Sequence, residues 1–101
     1  MTKSYNLSKS ADADFEDIFV YGVLTFGIRQ AESYALGLQA RFEQIAQHPL
    51  LYPEVSQIKA GYRLSVYRSH SIYYRTDSQG VLIVRILRSQ DAGLALTAET
   101  V

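Results

Sequence analysis

GYRLSVYRSHSIYYR, residues 61–75, decides the fold, because here the hydrophobic period of the chain changes from that of a helix to that of a strand. It holds three arginines, four tyrosines and one of the two histidines. Leu64 and Val66, then Ile72 and Tyr74, alternate with polar neighbours, and Leu82, Val84 and Ile86 continue the pattern downstream. Three strands are therefore expected. A two-residue loop at Arg68 and Ser69 would pair Val66 with Ser71 and Leu64 with Tyr73, mixing apolar and polar sets. A three-residue loop, 68–70, pairs Val66 with Ile72 and Leu64 with Tyr74, so this register is expected. The same logic pairs Tyr74 with Val84 and leaves Ser78, Gln79 and Gly80 as the second loop, with glycine where a left-handed residue is wanted.

Upstream the period is helical. Ser8 suits an N-cap and the acids after it suit the positive end of a helix dipole. Ala11, Phe15, Ile18, Phe19, Gly22 and Phe26 share one face, and Gly27 is a good residue to end the helix. A second helix, 28–47, places Ala31, Tyr34, Ala35, Leu38, Phe42, Ile45 and Ala46 on one stripe, and His48-Pro49 stops it. So short a connection makes an antiparallel helical hairpin. SYNLS, residues 4–8, reads as a short strand and residues 50–60 as a loop. The order is β-α-α-β-β-β, an α+β fold with an antiparallel sheet packed against an N-terminal helical hairpin.

At 101 residues the chain suits one domain, 1–101, with 88–101 as a C-terminal tail. Its hydrophobic fraction of 48% and charged fraction of 20% are those of a globular protein. The absence of cysteine excludes disulfides and cysteine nucleophiles. There is neither an apolar signal core at the N-terminus nor a run long enough to span a membrane, so a cytoplasmic location is expected. Ten bases balance ten acids, unevenly: residues 10–28 hold four acids and no base, whereas residues 59–88 hold six bases and one acid. Zero net charge argues against nucleic acid as the main partner.

In the expected register, the sheet face away from the helices carries Arg63, Ser65, Tyr67, Tyr73, Arg75, Ile83, Arg85 and Leu87, with Arg63 opposite Arg75. Such a like-charge pair costs stability unless an acid intervenes. Two readings stand. Either the guanidiniums swing into solvent, or they receive a partner's carboxylates beside Tyr67 and Tyr73. Val20 and Leu24, with Tyr21 beside them, point away from the first helix's core face and are an apolar interface candidate. Catalysis is weakly supported: His70 falls in a turn, His48 at a helix end, and no triad, phosphate loop or metal spacing is present. No catalytic residue, metal ligand or cofactor is expected.

The segments LSKSADADFEDI (7–18), FGIRQAESY (26–34), HPLLYPEVSQIKAGYR (48–63), SHSIYYR (69–75) and IVRIL (83–87) resemble, in order and spacing, the ParE branch of the RelE/ParE toxin superfamily of bacterial type II toxin–antitoxin modules. The resemblance implies the same β-α-α-β-β-β fold. It also implies a non-enzymatic toxin that binds DNA gyrase and traps it with cleaved DNA, silenced by a ParD-type antitoxin. Candidate contacts with antitoxin or target are Arg63, Tyr67, Tyr73, Arg75, Arg85, Arg88, Val20, Tyr21 and Leu24, with Arg88 standing where ParE-like chains commonly carry a histidine. The alternatives are a RelE-type, ribosome-dependent mRNA endonuclease, for which Arg85 matches a cleavage-supporting arginine, and an inactive toxin that only binds its antitoxin.

Overall fold

The computed structural model describes residues 5–88. Its elements run β1 (Tyr5–Leu7), α1 (Lys9–Phe26), α2 (Ile28–Gln47), β2 (Arg63–Tyr67), β3 (His70–Asp77) and β4 (Gly80–Arg88). The four strands form one sheet in the order β1-β4-β3-β2, antiparallel except that β1 lies parallel to β4, so the sheet is mixed.

Both helix starts and stops follow local chemistry. Ser8 Oγ accepts from the Ala11 N–H at 3.0 Å, capping α1, and donates to the Val84 carbonyl at 2.7 Å. One side chain thus satisfies an orphan helix donor and fixes the helix start to the sheet. Gly27 alone separates the helices; its φ of 96° is open to glycine, and its N–H reaches the Val23 carbonyl at 3.0 Å. Gly22 lets the helices approach, since a Cβ there would stand 3.2 Å from the Ala31 Cβ.

The register differs from expectation. The β2–β3 loop has two residues, so Tyr67 pairs with His70, Val66 with Ser71, Leu64 with Tyr73 and Arg63 with Tyr74. Arg68 takes a left-handed φ of 53° to make this tight turn. A bulge between Tyr73 and Tyr74 then offsets β4: Tyr74 faces Ile83 rather than Val84, while Tyr73 does face Arg85. Gly80 has the expected positive φ, 120°, although it pairs with Asp77.

The cause is that the sheet is buried on both faces. Against the helices lie Ile72, Tyr74, Val81, Ile83 and Ile86, packed with Leu38, Phe42 and Ile45 of α2. On the other face Tyr73, Val84 and Leu87 form a second cluster with Val55 and Tyr62, flanked by Leu64, Leu82 and Ile58. Residues 53–62 fold back over that face through hydrogen bonds from Val55 N–H to the Tyr62 carbonyl and from Leu64 N–H to the Pro53 carbonyl. The expected alternation of apolar-in and polar-out therefore has no polar side to anchor it. Ser65 and Tyr67, expected away from the helices, face them instead: Arg41 of α2 donates to Ser65 Oγ at 3.0 Å, and its guanidinium lies 5.4 Å from the Tyr67 ring centre. Ile83 likewise moves to the helix-side core, and Leu64 and Val84 to the second cluster. Val66, expected in the core, is exposed.

Candidate partner-binding groove

The expected opposition of Arg63 and Arg75 does not occur, because the slipped register sets Tyr74 opposite Arg63 and Leu82 opposite Arg75. Arg63 instead closes the loop before β2, donating to the Tyr52 carbonyl at 2.7 Å and pairing with Glu54 at 3.4 Å. Arg85 is bound across the molecule to Asp14 of α1, its Nε 2.7 Å from Oδ2 and its NH2 2.9 Å from Oδ1. The same carboxylate accepts the Ile86 backbone N–H at 3.0 Å. Both side chains are mostly buried, at 17% and 14% exposure. This bidentate, charge-assisted contact takes up the donor fork with which an arginine would clamp a phosphate.

Tyr73 is buried in the second cluster, while Arg75 is exposed on its strand. Arg88, at the end of β4, is exposed opposite His70. Val20, Tyr21 and Leu24 are exposed as expected. Phe26 departs from expectation, at 58% exposure instead of facing a core.

Between the hairpin and the sheet lies a groove of about 660 Å³, which Phe26 borders. Its walls are Phe15, Ile18, Phe19, Gly22 and Phe26 of α1 and Ala31, Tyr34, Ala35 and Leu38 of α2; its floor is the end of β4 at Ile86 and the Leu87 backbone beside it. Arg68, Ser69, His70 and Arg88 form one rim, and Asp14, Asp17 and Tyr21 lie along the other.

The basic rim rests on a tyrosine–histidine cluster. The Tyr34 hydroxyl and His70 Nδ1 are hydrogen-bonded at 2.7 Å, and the Tyr34 ring packs edge-on against Tyr67 at 5.3 Å. Burial, together with the nearby Arg88 charge, pulls the His70 pKa below its ordinary value, so its imidazole is neutral at pH 7. The expectation of His70 as a turn residue is thus corrected: it opens β3 and supports the groove wall. Arg68 stacks over the Tyr67 ring at 5.6 Å with its charge in solvent. The resulting site joins an apolar trough to exposed cations at one end. It can receive a segment with apolar anchors and a carboxylate.

Sequence reasoning missed the groove itself and the place of Arg68 in it. The available signal was the apolar stripe of α1, which continues to Phe26 at the end of the helix.

A helical hairpin on a mostly antiparallel sheet, with an apolar trough between them, defines a small α+β domain, and the comparisons sharpen this class. Residues 5–93 match the sequence profile of the family described as ParE toxin of type II toxin-antitoxin system, parDE. The chain is 41% identical over 85 residues to toxin ParE1 of Caulobacter vibrioides, covering 84% of this chain and 88% of that protein. It is 32% identical over 91 residues to toxin ParE1 of Mycobacterium tuberculosis, covering 89% and 93% respectively. Its fold is similar, at a TM-score of 0.68 and 20% identity, to a structure titled chromosomal ParDE TA system from P. aeruginosa, over 83% of this chain and 92% of that one. The chain belongs to the ParE toxin family of type II toxin–antitoxin systems.

Proposed function

We propose that this chain is a cytoplasmic toxin that acts by binding DNA gyrase, not by catalysis, and that a ParD-type antitoxin silences it by seating a segment in the groove between the helical hairpin and the sheet. The observation that carries the reading is the division of labour among the arginines. Arg85 and Arg63 are held by Asp14 and Glu54, whereas Arg68 and Arg88 stand exposed at the mouth of an apolar groove. An arginine locked in a buried ion pair is poorly placed to stabilise a cleaving phosphate, which weighs against ribonuclease action. Exposed cations beside aromatic walls suit recognition of a peptide carrying acids and apolar anchors.

Titration calorimetry with the antitoxin encoded by the adjacent reading frame tests the groove. Arg68→Glu and Phe26→Asp, both at exposed positions, are each expected to weaken binding at least about tenfold. Arg75→Glu, elsewhere on the sheet, is expected to change it less than about twofold. The reverse ranking would move the antitoxin to the sheet face that carries Arg75.

A further inference from the structure

The outer side of α1 carries a stripe that neither the core nor the groove uses. Glu16, Val20 and Leu24 lie four residues apart and so in one line along the helix. Val20 is 50% exposed and Leu24 81%, and neither borders the groove. Beyond Leu24 the chain turns at Gly27, and Ile28, 53% exposed, and Arg29 open α2 at the same corner. Glu16 and Arg29 are both exposed and form no ion pair among the described residues. The stripe therefore reads acid, apolar, apolar, base from one end to the other.

Such an order is complementary to itself. We propose that this face binds a second copy of the chain, through antiparallel pairing of α1 with the same helix across a two-fold axis that passes between Val20 and Leu24, at the level of residue 22 along the helix. About that axis Val20 meets Leu24 of the second copy, and Leu24 meets its Val20, so each protrusion lies beside the shorter side chain. Glu16, six residues or about 9 Å from the axis, meets the corner that carries Arg29 of the second copy, and the pair forms twice. A parallel pairing would set Glu16 against Glu16, so the charges select the orientation. Three apolar side chains per copy fall well short of the roughly 800 Å² per partner of a standard interface, so the association is a weak one that shows at high protein concentration. The groove stays open in this dimer.

Sedimentation equilibrium of the purified chain between about 5 and 500 µM tests this, because a weak dimer forms by mass action. The mass is expected to rise with concentration from 11.4 kDa toward twice that value. Leu24→Asp, at a position remote from the core, keeps the chain monomeric with an unchanged circular dichroism spectrum. Glu16→Arg and Arg29→Glu each weaken association, and their combination restores it. A single-chain mass throughout would overturn the proposal, as would undiminished association of Leu24→Asp or failure of the combined reversal to recover what each single change loses. Association lost on deleting residues 89–101 but retained in Leu24→Asp would assign self-contact to the tail. Monomeric behaviour of all forms, with gyrase trapping abolished by Leu24→Asp, would assign the stripe to the target.

Discussion

Asp14 joins α1 to β4 through three hydrogen bonds, two from Arg85 and one from the Ile86 backbone. Removing its charge takes the ionic partner of a mostly buried guanidinium away, a costly change in a protein interior. Asp14→Asn is expected to lower unfolding free energy by about 3 kcal/mol in urea denaturation. Arg85→Ala should cost a similar amount, and the double variant clearly less than the sum of the two. Loss of toxicity in Arg85→Ala would thus report folding, not chemistry. Gly37 is a second residue fixed by a neighbour: a Cβ there would overlap the hydroxyl of Tyr67. Alanine adds up to about 1 kcal/mol of helix propensity. Gly37→Ala is nevertheless expected to destabilise by about 1 kcal/mol net, because Tyr67 must leave its place against Arg41 and Tyr34. Tyr67→Phe in that background should return part of the loss in the same assay.

At the level of elements, the helices were legible and the strand register was not. Ser8 and Gly27 signal their roles through local hydrogen bonding and φ, and α2 ends where His48-Pro49 says it must. Alternation fixes register only where one face is polar, whereas Tyr73, Val84 and Leu87 are buried on the face away from the helices too. Two clues pointed the other way: the near-continuous apolar run VLIVRIL (81–87), and the apolar residues Val55, Ile58 and Tyr62 in what reads as loop. The partners of the candidate site arginines were also hidden, since Asp14 and Arg85 lie 71 residues apart. The β2–β3 turn carries a pH prediction. His70 has a folded pKa below its unfolded value of 6.5, so the unfolded chain binds the extra proton more readily. Stability is full above pH 6.5 and falls as pH drops from that value through the folded pKa. His70→Gln should flatten this part of a stability-versus-pH curve measured by thermal denaturation.

At the scale of the whole molecule, a β-α-α-β-β-β chain with zero net charge sets two acids of α1, Asp14 and Asp17, and two cations, Arg68 and Arg88, around one opening. The opening lies between the hairpin and the sheet, and Arg68 and Arg88 at its rim are exposed while Arg63 and Arg85 are held in internal ion pairs. The central claim is that this surface works by holding proteins, one to poison and one to be silenced by. It is tested most directly by incubating supercoiled plasmid with gyrase, ATP and the purified chain, then adding the adjacent-frame antitoxin. Linear DNA is expected to accumulate with toxin and to stop accumulating once antitoxin is equimolar. Unchanged gyrase activity from a folded chain that instead cleaves mRNA on ribosomes would contradict the account.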